Sequence, residues 1–146
     1  MKVLLLCSWG GHLQELMELK DAWEPYDHTI LTYVSDRPLD GMGELMLVYP
    51  PWKSVTRCLW TLSKALLKIL FDKPDVVLST GMGYVDMFAF PFCKLLGAYT
   101  VYIESAANVD HLSGTGNVVR RFADRFLVQW EELADKIGAE YKGGAF

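Results

Sequence analysis

Short apolar runs alternate along this chain with longer stretches in which apolar residues recur every three or four positions. Residues 3–7 are continuously apolar and led by Lys2, which predicts a buried parallel strand. From about residue 13, Leu13, Leu16, Met17, Leu19 and Trp23 recur at helical spacing, with Glu15, Glu18 and Lys20 assigned to the wet face. Residues 29–34 predict a second strand. Residues 35–44, with two Gly, a Pro and two Asp, predict a loop. A third strand at 45–49 is stopped by Pro50-Pro51, and after Trp52 a helical pattern runs over 53–71. Pro74 opens a strand at 75–79, and Gly81-Met82-Gly83 makes a second glycine turn. An apolar helix then runs to about 96, with Pro91 expected to kink or split it and Gly97 to cap it. A strand at 99–104, a helix at 114–123, a strand at 125–129 and a helix at 131–137 complete the pattern.

Strands and helices largely alternate, without an internal repeat, a low-complexity segment or a linker. The pattern predicts an α/β, Rossmann-like parallel sheet with helices on both faces, in one domain spanning residues 1–146. Ligands of such sheets bind at the carboxyl ends of the strands, near the switch point. Both glycine turns and the segment after Glu104 follow strand ends, so one rim should gather them.

Composition narrows the class. With 146 residues, 51% apolar and 22% charged, the chain can bury a core without a metal or disulfide staple. Cys7, Cys58 and Cys93 lie in apolar stretches and lack a C-x-x-C spacing, as expected of reduced thiols in a cytosolic protein. The apolar run at the start is too short for a signal peptide, and no run is long enough for a conventional membrane span. The net charge of −4 argues against a nucleic-acid partner. The charge is uneven: residues 1–52 carry net −5, residues 53–73 net +4 and the remainder net −3. A cationic island in an acidic protein marks one surface for a particular partner.

Chemistry concentrates at the rim. Ser8-Trp9-Gly10-Gly11-His12 joins a strand to a helix, where bare backbone and free N–H groups can cradle a phosphate or diphosphate. It matches neither the dinucleotide fingerprint nor the P-loop, and it is equally readable as a plain tight turn. His12 would stand at the mouth, able to take a proton from a nucleophilic hydroxyl or to donate to a diphosphate oxygen. Ser79-Thr80-Gly81-Met82-Gly83-Tyr84 repeats the arrangement after the fourth strand. Glu104 ends a buried strand, where a carboxylate is costly without a purpose, and Ser105, Asn108, Asp110 and His111 follow it in a polar loop. His28 sits at the opposite rim and is read as structural. His12 and His111 lack the spaced partners of a zinc site, so neither a metal nor another cofactor is expected.

The 53–71 segment has two readings. Val55, Leu59, Leu62, Leu66 and Ile69 form one stripe, broadened by Trp60, Leu67, Leu70 and Phe71. Arg57, Thr61, Lys64 and Lys68 form the opposite one, and Lys53 precedes both. A cationic, Trp-bearing amphipathic helix without an acid from 53 to 71 suits a membrane interface. An ordinary crossover helix packed on the sheet has the same pattern.

Several motifs together resemble the asparagine-linked glycosylation fourteen family and its bacterial counterparts in capsule and exopolysaccharide assembly. They are Ser8-x-Gly10-Gly11-His12-x-x-Glu15-Leu16, the run Pro74 to Gly83, Tyr102-Ile103-Glu104-Ser105, the run Ala123 to Glu132, and Gly143-Gly144-Ala145-Phe146. The chain is similar more distantly to the acceptor half of the peptidoglycan glycosyltransferase that acts on lipid I.

The resemblance implies a split GT-B glycosyltransferase, of which this chain is the acceptor-binding and membrane-docking half. A separate donor-binding subunit would hold the nucleotide sugar in a heterodimer. The reaction implied is an inverting sugar transfer to a polyprenyl-diphosphate-linked saccharide at the cytoplasmic face of the cell membrane. On this account His12 and Glu104 are the catalytic candidates. Ser8, Gly10, Gly11, Thr80, Gly81, Gly83, Tyr84, Ser105 and Asn108 would contact the acceptor. Lys53, Arg57, Trp60, Lys64 and Lys68 would meet the membrane. Family members from eukaryotes carry an amino-terminal membrane span, whereas this sequence starts at strand one, which makes the 53–71 helix the leading anchor. Two other classes stay open: a non-catalytic membrane scaffold that recruits an enzyme, and a free-standing nucleotide-binding domain with Asp36 as the ribose contact.

Overall fold

The structure, a computed structural model, describes residues 1–34, 42–50 and 54–145. Trp52, Lys53, Asp36 and Phe146 lie outside these, as does most of the expected loop at 35–44.

Seven strands are described: β1 (Lys2–Cys7), β2 (Asp27–Tyr33), β3 (Glu44–Val48), β4 (Val76–Gly81), β5 (Tyr99–Ile103), β6 (Arg125–Val128) and β7 (Glu140–Tyr141). They form one sheet in the order β3-β2-β1-β4-β5-β6-β7, and every pairing is parallel. The chain winds outward from β1 in one direction and from β4 in the other. The switch point therefore falls between these two strands, and the loops that follow them become neighbours.

β1 shows why the sheet is covered on both sides. Side chains alternate between faces along a strand. Leu4 and Leu6 enter one apolar cluster with Leu31, Val77, Phe90 and Tyr102, while Val3, Leu5 and Cys7 enter another with Leu16, Trp23 and Ile30. A strand buried on both faces must be apolar throughout, which is how 3–7 reads.

The helices are α1 (Gly11–Glu18), α2 (Lys20–Trp23), α3 (Val55–Asp72), α4 (Tyr84–Leu95), α5 (Gly114–Val119) and α6 (Glu131–Ile137). The first helix starts two residues earlier than expected and breaks at Leu19. The break brings Trp23 back over α1, where its indole N–H donates to the Leu16 carbonyl at 3.0 Å. Pro91 does not split α4, which runs unbroken past it. β7 was not expected. Two residues carry no readable alternation; the strand pairs with β6 at Leu127 and Val128, and Glu140 also meets Arg125 of β6.

α3 departs most from its expected orientation. Its fully buried stripe is Thr61, Ala65 and Ile69, whereas Val55 and Leu59, which the crossover reading would pack on the sheet and the membrane reading would leave outside it, are exposed. Thr61, expected on the wet face, donates its hydroxyl to the Tyr49 carbonyl at 2.8 Å. The small Ala65 and the satisfied Thr61 let the helix approach closely, which a stripe of Leu would prevent. Ser54 caps its start by accepting from the Arg57 N–H at 3.2 Å.

Candidate functional site

A cleft of about 410 Å³ opens at the carboxyl rim of the sheet, over the switch point. Its lining includes Ser8, His12, Gly81, Gly83, Tyr84, Glu104, Ser105 and Asn108 from the expected set, whereas Gly10 and Gly11 lie beside it and not in its lining. Tyr33, Met82, Tyr102, Ser113 and Thr115 also line it. One end is polar, and the other is made of tyrosine rings and a methionine.

The two glycine turns are joined directly. The Ser8 N–H donates to the Gly81 carbonyl at 2.8 Å. Gly10 precedes α1 at φ 90°, a conformation that favours glycine, and no side chain caps the helix. The first N–H groups of α1 are thus left at the rim. His12 follows on the first turn. Its carbonyl accepts from the Thr80 hydroxyl at 2.7 Å, and its ring rests on Gly81.

Thr80 is a correction to the expected acceptor contacts. It is fully buried, its hydroxyl is spent on the backbone of His12, and it does not line the cleft. It fixes the turn beside the cleft instead.

Glu15, assigned from sequence to the wet face of the first helix, is buried at the site. Its Oε1 accepts from the Ser105 hydroxyl and the Ala106 N–H, both at 2.9 Å. Its Oε2 lies 3.7 Å from His12 Nδ1. Burial works to raise the Glu15 carboxyl, but His12, Ala106 and Ser105 outweigh it and hold it below its ordinary value. The Glu15 carboxylate in turn raises His12 against the opposing effect of burial. The spacing of three residues puts both side chains on one helix face, which was the signal available in the sequence.

Asp86, in the first turn of α4, was also missed. It is completely buried and accepts from the Ser79 hydroxyl at 2.8 Å and from the Met82 N–H. Burial pushes its carboxyl up to about 7, despite these donors. It braces the second glycine turn from below.

Glu104 lies one residue beyond β5 and is buried, yet it is fully occupied. Oε1 accepts from Asn108 Nδ2 at 2.9 Å and from the Ser105 N–H at 3.2 Å. Oε2 accepts from the Ser113 hydroxyl at 3.0 Å and from its N–H at 3.2 Å. A side chain at Gly116 would collide with Oε2. Glu104 therefore organises the loop from 105 to 113. Asn108 serves the same loop.

On α3, Arg57 lies over the Tyr49 ring at 5.1 Å, Tyr49 packs on Trp60 at 5.2 Å, and Lys64 lies over Trp60 at 5.5 Å. Lys68 is paired with Glu44 and Asp72 at the opposite rim, so its charge is spent within the fold. His28 is likewise at that rim, edge-on to Trp23. Among the described residues no helix is long and apolar enough to cross a membrane, and no cluster of three His, Cys, Asp or Glu side chains is placed to hold a metal ion.

The fold is a Rossmann-like parallel sheet covered by helices, of the kind found in one half of larger two-domain structures. Solved structures that resemble it include a UDP-GlcNAc 2-epimerase from Methanocaldococcus jannaschii, with TM-score 0.68 and 12% identity over 98% of this chain and 45% of that one. MurG from Acinetobacter baumannii gives TM-score 0.66 and 14% identity over 90% of this chain and 43% of that one. This chain thus spans less than half the length of either.

Residues 48–145 match the family model "Oligosaccharide biosynthesis protein Alg14 like". A protein of Yarrowia lipolytica named UDP-N-acetylglucosamine transferase subunit ALG14 is 40% identical, over 97% of this chain and 80% of that protein. Its counterpart in Schizosaccharomyces pombe is 28% identical, over 97% and 81%. The chain belongs to the Alg14 family, whose curated members are glycosyltransferase subunits.

Proposed function

We propose that this chain is the acceptor-binding, membrane-docking subunit of a two-protein glycosyltransferase. It moves N-acetylglucosamine from UDP-N-acetylglucosamine, held by a donor-binding partner, to a polyprenyl-diphosphate-linked saccharide. The donor is taken from the names of its relatives. A role in capsule or exopolysaccharide assembly is suggested by the resemblance to bacterial counterparts, whereas Yarrowia lipolytica and Schizosaccharomyces pombe are eukaryotes.

One observation carries this reading: the cleft at the switch point places His12 beside two glycine turns and a helix N-terminus. The uncapped start of α1 after Gly10, at the edge of this cleft, suits a diphosphate by its free N–H groups and its partial positive charge. The saccharide hydroxyl then lies within reach of the His12 ring. In the inverting step the acceptor O–H bond breaks and its proton passes to His12 Nε2. The oxygen bonds to the anomeric carbon as the bond from that carbon to the diphosphate breaks, and the electron pair leaves on UDP.

The outer face of α3 supports docking at the cytoplasmic membrane surface. Val55, Leu59, Trp60, Leu67, Leu70 and Phe71 are all exposed, Val55 and Phe71 by more than three quarters. Arg57 and Lys64 flank them. An apolar outward face edged by cations suits an anionic lipid interface, and a crossover helix facing only water would be polar there. The tyrosine end of the cleft is tied to this helix, since the Tyr84 hydroxyl donates to the Cys58 carbonyl at 3.2 Å. A lipid-linked acceptor thus has a path from membrane to site.

The test is purification of the tagged chain from its host in mild detergent, followed by transfer of radiolabelled N-acetylglucosamine to a polyprenyl-diphosphate acceptor. Recovery of a second Rossmann-like protein and label in the lipid fraction are expected. A chain recovered alone and from the soluble fraction contradicts the proposal.

A further inference from the structure

We propose that Glu15 is a positioning residue for the transfer reaction: its Oε2 orients the His12 ring through Nδ1, and its Oε1 ties that ring to the loop after β5. This rests on the proposed role of His12 as the base.

The geometry is that of a ring held from two sides. Gly81 lies against one face of the imidazole, so close that a methyl group there would meet Cε1 and Nδ1 at 2.9 Å. Glu15 Oε2 stands 3.7 Å from Nδ1, just beyond hydrogen-bond distance, and among the described residues neither buried atom has a hydrogen-bond partner. A buried carboxylate oxygen without a donor is costly, as is a buried ring nitrogen without a partner. A proton on Nδ1, donated to Oε2 once the gap between them closes by a few tenths of an ångström, relieves both. That tautomer leaves the lone pair on Nε2 of a ring that belongs to the cleft wall. When Nε2 takes the acceptor's proton, the imidazolium forms beside an existing negative charge.

Oε1 is equally committed. It holds Ser105 and Ala106, ninety residues away in sequence, and Ser105 itself lines the cleft. The loop on which acceptor contacts lie is thereby set relative to the base. Glu15 does this from behind, since it does not line the cleft itself.

The other charged and titratable groups around His12 are few. Asp86 acts on it from the start of α4, and the Thr80 hydroxyl holds its backbone from β4. Glu104, Tyr33, Tyr84 and Tyr102 share the cleft wall. Glu104 is engaged by Ser113 and Asn108, which leaves Glu15 as the carboxylate on Nδ1.

The experiment uses the full chain in complex with its donor-binding partner, comparing wild type, Glu15→Gln, Glu15→Asp and His12→Ala. Two quantities are read: the pH profile of kcat, and the titration of the His12 imidazole by NMR, which needs no turnover. Glu15→Gln should lower kcat at least tenfold with little change in KM, because the ring loses its orienting charge. The acid limb of the profile and the His12 titration should both move to lower pH. Glu15→Asp should show the same changes, smaller, and serves in the same two measurements if Glu15→Gln does not fold. Unchanged kcat, or lost activity with both titrations unmoved, overturns the positioning role. Full activity in His12→Ala instead overturns the base assignment, whatever the Glu15 variants do.

Discussion

The ring of His12 lies on the α-carbon of Gly81, and no side chain fits between them. Gly81 also adopts φ 125°, where a side chain is strained whatever the space. The expected result of Gly81→Ala is loss of transfer activity and a destabilisation of about 1–3 kcal/mol, the range for a residue forced into an unfavourable backbone region. Urea unfolding and the transfer assay check both. A variant with wild-type rate would place the base elsewhere.

Asp86 predicts a pH dependence of stability. Its folded-state carboxyl is raised to about 7 from an ordinary 3.8. A raised carboxyl keeps its proton in the folded state after the unfolded chain has lost it. Its contribution to stability is therefore complete below the unfolded value and declines as pH rises toward 7. Asp86→Asn cannot titrate, so its urea midpoint should fall less than that of the wild type between pH 4 and 7. Parallel curves would show that Asp86 is ionised in the fold.

Arg57 and Lys64 predict salt-sensitive lipid binding. Each basic residue near an anionic surface contributes about 1 kcal/mol, so Arg57→Glu with Lys64→Glu should weaken binding to phosphatidylserine vesicles by about 30-fold or more. Trp60→Ala with Phe71→Ala should weaken binding to neutral vesicles as well. Lys68→Glu breaks the ion pairs to Glu44 and Asp72 and should lower stability more than lipid affinity. Cosedimentation and thermal unfolding separate these effects.

Glu104 predicts a structural phenotype. Glu104→Gln retains one acceptor oxygen where the carboxylate serves four donors, and hydrogen bonds to a charged group are worth about 1.5–3 kcal/mol each. The variant should unfold at lower temperature and be cleaved faster within residues 105–113. A catalytic base would lose kcat with its stability intact.

Much of this molecule is legible in its sequence, and the losses have physical causes. β1 was readable because a strand buried on both faces has to be apolar at each position. The rim was readable because the glycine turns follow strand ends, and topology brings strand ends together. Glu15 was misplaced because a carboxylate at helical spacing from Glu18 looks solvated until Ser105, far along the chain, arrives to bind it. Thr80 was misplaced because a hydroxyl beside a glycine turn looks free until the His12 carbonyl claims it. α3 was rotated because its apolar residues cover most of its circumference, so spacing alone cannot say which of them meets the sheet.

The measurement that tests the central claim most directly is the transfer rate of the assembled enzyme carrying His12→Ala. General-base catalysis contributes about 10²–10⁴-fold, so kcat should fall by that factor while partner binding and vesicle binding stay at wild-type levels. A wild-type rate would contradict the account and leave this chain as a scaffold for the chemistry of another.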